Sequence, residues 1–303
     1  MRSLNLDHLR AFGEVVATGG FSAAAARLNL TQPAVSLQVR QLERRLGVEL
    51  VERTGRRATP TAAGRELLAH IRSIDGAVAG AMEAMAAHAT GVAGRVRLGT
   101  GATACIYLLP TVLRRLRKRY PGLEIVVGTG NTPDMLRAIE ENTLDLGLVT
   151  LPAAGRALQV TPLLRDEMVA IAAPGDRRLP AKVTAAALAT QPVVLYEPGA
   201  HTRRVVDDWF LAAGQSLKPA MQLGSVEAIK QLVGAGLGLG LLPRMAVAQM
   251  ASRGPLAVRP LAPRLYRELG LVVRRDKPSS RGLAEVIRAL GRMAKTGGRP
   301  SGD

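Results

Sequence analysis

The sequence predicts an α/β chain that opens on an all-α winged helix-turn-helix. Three observations predict this. Two short capped helical patterns meet at a tight turn within the first fifty residues. A long helix with a heptad-like stripe follows. Beyond it, strand and helix patterns alternate to the end of the sequence, which implies a mainly parallel sheet with helices on both faces.

The first helix places Leu6, Leu9, Phe12 and Val16 on one face, and Gly19-Gly20 stops it. Ser22 then offers an N-cap to a short helix, Ala23 to Leu28. Asn29-Leu30 makes the turn. Thr31 caps a third helix, whose first turn holds Pro33, where the missing N–H costs little. Val35, Val39, Leu42 and Leu46 form its inward stripe. Pro33, Leu37, Arg40 and Arg44 lie opposite, with Gln32 and Ser36 at the flank. Polar side chains at the start of a helix and arginines further along suit recognition in a major groove. An ordinary amphipathic surface helix would also show a basic outer face, and Leu37 could instead pack on the Ala-rich helix. Thr54-Gly55 reads as a hairpin tip, flanked by Arg53, Arg56 and Arg57, which could reach phosphates or a minor groove.

Thr61 can cap a long helix running to about Ala89. Leu67, Ile71, Ile74, Val78, Ala81 and Met85 recur at steps of four and three, the period of a coiled-coil seam. The alternative is a helix lying on its own domain's core. Thr90 to Gly94 is a small-residue hinge. Strands are expected at Val96–Gly99, Ile125–Val127, Leu144–Val149, Met168–Ala172, Val193–Tyr196 and Leu237–Leu242. Helices are expected at Leu108–Tyr120, Pro133–Glu141, Thr202–Ala213 and Ser225–Ala235.

In such folds ligands bind beyond the carboxyl ends of strands, near helix N-termini. The candidate loops are Thr100-Gly101-Ala102-Thr103, Gly130-Asn131-Thr132, Gly199-Ala200-His201-Thr202 and Gly224-Ser225-Val226. Each supplies backbone N–H groups and hydroxyls, which favours an anion, although each alone could be a routine loop with a cap.

The charge narrows the partners. A formal net charge of +17 and a pI near 11.3 favour polyanions, nucleic acid or an anionic membrane surface, although a GC-rich genome would also raise the arginine count. Residues 1–65 hold ten Arg against five Asp/Glu. Cys105 stands alone, so no internal disulfide forms, and no metal-ligand spacing is present. No apolar signal core or spanning stretch is seen, so a soluble cytoplasmic protein without cofactor or metal is expected.

Specific runs now point to a family. Leu9-Arg10-Ala11-Phe12, Gly20-Phe21-Ser22, Thr31-Gln32-Pro33-Ala34-Val35-Ser36, Gln41-Leu42-Glu43 and Leu50-Val51-Glu52-Arg53 resemble the DNA-binding domain of LysR-type transcription regulators. Leu37 departs from the pattern, since many members carry a basic residue there. Tyr120-Pro121, Asp145-Leu146-Gly147-Leu148 and Gly234 to Pro243 are similar to landmarks of that family's effector domain, a two-lobed fold like that of periplasmic binding proteins.

The resemblance implies a winged helix-turn-helix over 1–60, a linker and antiparallel dimerisation helix over 61–90, and an effector-binding domain over 91–303. Lobe I would take 91–162 and 267–303, and lobe II 163–266. It also implies binding to an imperfect DNA palindrome, an effector held between the lobes, and a homodimer or homotetramer. RNA polymerase is a partner the resemblance leaves open.

Rival readings fare worse. Gly99-Thr100-Gly101-Ala102-Thr103-Ala104 fits a dinucleotide fingerprint, but Pro110 follows soon after and no acid closes the second strand. His201 has no nucleophile motif beside it. A solute-binding protein would lack the first sixty residues, and a gel shift with duplex DNA separates that reading from a regulator.

Overall fold

The computed structural model describes residues 4–54, 57–90, 92–248 and 256–297. They form two compact units, Met1–Ala81 and Met82–Asp303.

In the first unit α1 (Leu6–Thr18) is capped by Asn5, whose Oδ1 accepts from the Asp7 N–H at 2.8 Å. It ends at Gly19, where φ of 73° suits a residue without a Cβ. Helix α2 (Phe21–Leu28) starts earlier than its serine suggests. Extended Gly20 is the cap and its carbonyl receives the first helical bond from Ala24 at 3.1 Å, so Ser22 sits inside the first turn. Asn29 closes α2 in the left-handed region at φ 56°. Thr31 then caps α3 (Gln32–Leu46) through a bond from the Ala34 N–H at 3.4 Å.

Leu9, Phe12 and Val15 of α1, Ala24 and Ala25 of α2, and Val35, Val39 and Leu42 of α3 make one core. Leu6 and Leu46, expected on the inward stripes, are exposed at the helix ends. Strands β1 (Val51–Thr54) and β2 (Arg57–Pro60) pair antiparallel as the wing, Val51 opposite Pro60. Glu43 anchors the wing's root, its Oε1 accepting from Leu50 and Val51 N–H groups at 2.9 and 3.2 Å.

Helix α4 (Ala62–Thr90) is capped by Thr61, whose Oγ1 accepts from the Gly64 N–H at 3.0 Å. Gly64 is needed there: a Cβ would collide with the Leu50 carbonyl. This close approach changes the reading of the heptad stripe. Ile71 is 5% exposed and sits in the core of the first unit, with Leu67, Leu68 and Ile74 packed around it. The early part of the stripe therefore serves the chain's own core. Val78 is half-buried and Ala81 exposed. Met82 and Met85 lie further along the helix, Met85 at 63% exposure.

The second unit is built on one eight-stranded sheet, ordered β4-β3-β5-β10-β6-β9-β7-β8. Its first half has β3 (Gly94–Thr100) between parallel β4 (Leu123–Thr129) and β5 (Leu146–Thr150). Helices α5 (Ala102–Tyr107), α6 (Leu109–Arg119) and α7 (Thr132–Glu140) connect these strands. The second half has β7 (Val193–Tyr196) between β8 (Met221–Leu223) and β9 (Leu239–Pro243), also parallel. Its helices are α8 (Ala185–Ala189), α9 (His201–Ala212) and α10 (Val226–Gly234).

The halves are joined by two long antiparallel strands, β6 (Leu158–Ala172) and β10 (Ala257–Arg274). The sheet is therefore mixed rather than mainly parallel: β10 runs antiparallel to both β5 and β6, and β6 to β9. Helix α11 (Arg281–Gly297) returns to the first half, where Leu283, Val286 and Leu290 join Val96, Leu98, Val112 and Leu116 in a core. The second half has its own core around Met168, Leu195, Val206, Trp209 and Phe210. Among the described residues no helix is long and apolar enough to cross a membrane.

Candidate functional site

Two surfaces carry the candidate residues. On the first unit α3 turns Gln32, Pro33, Leu37 and Arg40 outward, Leu37 at 46% exposure. Leu37 therefore does not pack away against α2. Arg40 is steadied by its own helix, its Nε donating to the Ser36 carbonyl at 3.3 Å. Ser36 itself is buried, since its position next to Val35 and three before Val39 falls on the inward arc. It is not a groove-facing side chain. Arg57 is exposed on the wing. Arg56 and the Arg53 side chain lie outside the described residues.

On the second unit a cavity of about 250 Å³ opens where strand ends meet helix starts. Gly101 and Thr103 line it at the start of α5, Gly130, Asn131 and Thr132 at α7, His201 and Thr202 at α9, and Val226 at α10. The four loops singled out in the sequence thus meet at one place. Three of their residues, Thr100, Gly199 and Ser225, do not line it. Thr100 is fully buried and donates to the Leu148 carbonyl at 2.7 Å. Ser225 spends its hydroxyl as the cap of α10, accepting from the Ala228 N–H at 3.4 Å.

The cavity also holds residues that sequence reasoning missed, chiefly Tyr196, Glu197 and Arg267. Tyr196 ends β7 and Glu197 follows it, so the strand-end rule applied to them too. Arg267 had no local signal, because it lies in the middle of β10. It is 3% exposed and paired with Asp166 of β6, directly opposite it in register and 6% exposed. Its Nε and Nη2 donate to Asp166 Oδ2 at 3.1 and 3.0 Å. Its Nη1 donates to Thr202 Oγ1 at 3.1 Å, which leaves the Thr202 hydroxyl proton free to donate elsewhere.

Burial raises the Asp166 carboxyl above its ordinary range, and the Arg267 guanidinium pulls it partly back. Burial also raises the Tyr196 phenol. Among the described residues its hydroxyl has no hydrogen-bond partner. Thr103 is near enough to act on it but not in bonding geometry. Partial burial lowers the His201 imidazole, against a bond to the Pro152 backbone that raises it.

Together these groups form a small polar chamber. The starts of α5, α7 and α9 carry no side-chain cap, Thr202 and Tyr196 offer hydroxyls, and a neutralised arginine supplies a fixed dipole. The chemistry of such a chamber suits a compact anion or polar metabolite. Beside it Lys230 of α10, buried, donates to the Tyr107 hydroxyl of α5 at 2.8 Å, and Tyr107 bonds Glu227. This cluster ties a helix of the first sheet half to one of the second.

Comparison with known proteins places these features. Residues 6–65 match the model of the bacterial regulatory helix-turn-helix protein, lysR family, and residues 89–295 match the LysR substrate binding domain. The HTH-type transcriptional regulator YeiE of Escherichia coli K12 is 34% identical over 286 residues, covering 94% of this chain and 96% of the relative. A full-length, singly substituted OxyR from Pseudomonas aeruginosa superposes with a TM-score of 0.73 at 23% identity, covering 95% and 98% of the two chains. Full-length CbnR in complex with its target DNA gives 0.70 at 20% identity, covering 96% and 100%.

Proposed function

The chain belongs to the LysR family of transcription regulators, and on that premise we propose how this member reads DNA and is switched. Residues 6–65 bind a duplex operator through α3 and the wing, in a homodimer or homotetramer that sets two or more recognition helices on an imperfect palindrome. A small anionic effector occupies the cavity lined by Thr103, Asn131, Thr132, Tyr196, His201 and Thr202. Its binding favours one arrangement of the sensing domain over another and so alters operator binding. The protein acts in the cytoplasm as a regulator and not as an enzyme. The observation that carries this reading is the chamber itself, where four helix starts and the Arg267–Thr202 pair converge beside a bridge between the two halves of the sheet. A thermal-shift screen of anionic metabolites, followed by gel shifts with each hit, tests it. Hits that leave DNA binding unaltered would reject the switch.

Thr202→Val should separate a ligand site from a structural cluster. The change deletes the hydroxyl that Arg267 has left free to donate. A ligand acceptor stranded in that chamber costs about 1–3 kcal/mol, so calorimetry should show an effector bound roughly 5- to 150-fold more weakly. Thr202→Ser should stay near wild type. Equal affinities for all three would place the ligand elsewhere.

Leu37 governs the operator. A leucine facing a major groove can lie on a thymine methyl but cannot make the bidentate contact of an arginine to guanine. Selection from a randomised half-site library should return T·A opposite this residue. Leu37→Arg should shift the preference toward G by about 1–3 kcal/mol per base pair. Identical motifs from both proteins would remove Leu37 from base reading.

A further inference from the structure

Lys230, Tyr107 and Glu227 form a closed polar triangle. The Lys230 ammonium donates to the Tyr107 hydroxyl at 2.8 Å and lies 3.1 Å from Glu227 Oε2, while the Tyr107 hydroxyl donates to Glu227 Oε1. Lys230 and Glu227 are three residues apart on α10, so they could pair in water without a third partner. Instead the lysine is 6% exposed, and its ammonium lies 5.1 Å from the centroid of the Tyr107 ring. Tyr107 is the last residue of α5, in the connection from β3 to β4 of the first half. Its side chain nevertheless packs against the buried cluster of the second half that contains Val194, Val226 and Ile229.

Both partners stand one helical turn from the chamber. Thr103 lines it and is four residues before Tyr107 on α5. Val226 lines it and is four residues before Lys230 on α10. Residues four apart share a helix face. A change in the gap between Tyr107 and Lys230 is therefore passed along one turn, about 5.4 Å, to two walls of the chamber. Each half closes a core of its own without this bond: Leu98, Val112 and Leu148 with α11 in the first, Met168, Leu195 and Phe210 in the second. A buried ion pair adds little net stability, because hydration is lost. Its bonds have direction, however, where apolar contact has none.

We propose that Tyr107 and Lys230 are positioning residues. Their bond fixes the spacing between the starts of α5 and α10, and with it the width of the chamber between Thr103 and Val226. This rests on the reading of the chamber as the effector site. Neither residue lines the chamber itself, so each acts through the helix that carries it.

Hydrogen exchange on the full chain, with no ligand added, tests the proposal. Tyr107→Phe deletes one hydroxyl and keeps the ring, and Lys230→Met deletes the ammonium and keeps the stem. Each should speed amide exchange in residues 101–107 and 224–230 by about tenfold or more, while strands β3, β7 and β9 keep wild-type protection. The double variant should exchange no faster than the more affected single one, because both changes break the same bond. Unchanged exchange in both segments of a folded Tyr107→Phe protein overturns the proposal. An equal acceleration in the strands also overturns it, since the cluster would then serve general stability. If Lys230→Met does not fold, Tyr107→Phe decides alone. The effector reading fails separately: a wild-type chain whose melting temperature no anionic metabolite raises would reject that reading and leave the exchange result standing.

Discussion

Replacing Ile71 with Asp is expected to unfold the first unit and abolish duplex binding. The heptad spacing alone would have the same change split a dimer between folded chains. The structure argues otherwise, because Ile71 is 5% exposed among Leu67, Leu68 and Ile74 in the helix-turn-helix core. Truncating a buried isoleucine costs about 2–5 kcal/mol, and a carboxylate adds the cost of an unpaired buried charge. That sum rivals the whole stability of a small domain, about 5–15 kcal/mol. Limited proteolysis should cut within residues 1–81 of the variant, and anisotropy should report no operator binding. Ile71→Val should lose only about 0.5–1.5 kcal/mol and keep its DNA affinity. Met85, at 63% exposure, supplies the contrast. Met85→Asp should leave the melt unchanged and lower the mass in light scattering if the late part of α4 pairs between chains. A folded, monomeric Ile71→Asp protein would return Ile71 to the seam between subunits.

What the sequence made legible follows from the range of the forces involved. Caps and turns act over three or four residues. Thr31 and Asn29 could therefore be read directly, and so could the loops that open α7 and α9. Ser22 misled because cap preference is statistical, and extended Gly20 took the role one residue before the helix. The stripe on α4 was legible as apolar, while its partner stayed open between a subunit seam and the domain's own core. Periodicity says that a face is buried without saying against what, and Gly64 alone hinted at close approach to the wing.

Strand β10 escaped notice for a physical reason. Pro260 and Pro263 argue against a central strand, yet the sheet accommodates them at a break in register between Pro260 and Leu265. Helix α11 did carry a signal, since Leu283, Val286 and Leu290 are at helical spacing. Half of the chamber was therefore visible as loops. Arg267 was not, because its role comes from a register partner 101 residues away.

Arg267→Met should be the most damaging single change in the second unit, with a deficit that depends on pH in a defined direction. The guanidinium is 3% exposed and satisfies Asp166, itself 6% exposed. Removing one partner of a buried pair costs about 3–5 kcal/mol, mostly because a charge is left without compensation. Burial already raises the Asp166 carboxyl above 3.8, and Arg267 is the main influence holding it down. Without the arginine it rises further, so the folded variant holds a proton that the unfolded chain has released. Stability then falls as pH rises through that raised value, because the folded state binds more protons there. Melts of wild type and variant should be closest in acid and diverge as pH rises above the ordinary carboxylate range. Asp166→Asn with Arg267→Met removes the stranded charge and should recover most of the stability while flattening the pH dependence. The double variant should still bind effector weakly, because Thr202 has lost the donor that orients its hydroxyl. A deficit equal at every pH, or a double variant no more stable than the single, would mean that the pair is not what holds this part of β6 and β10 together.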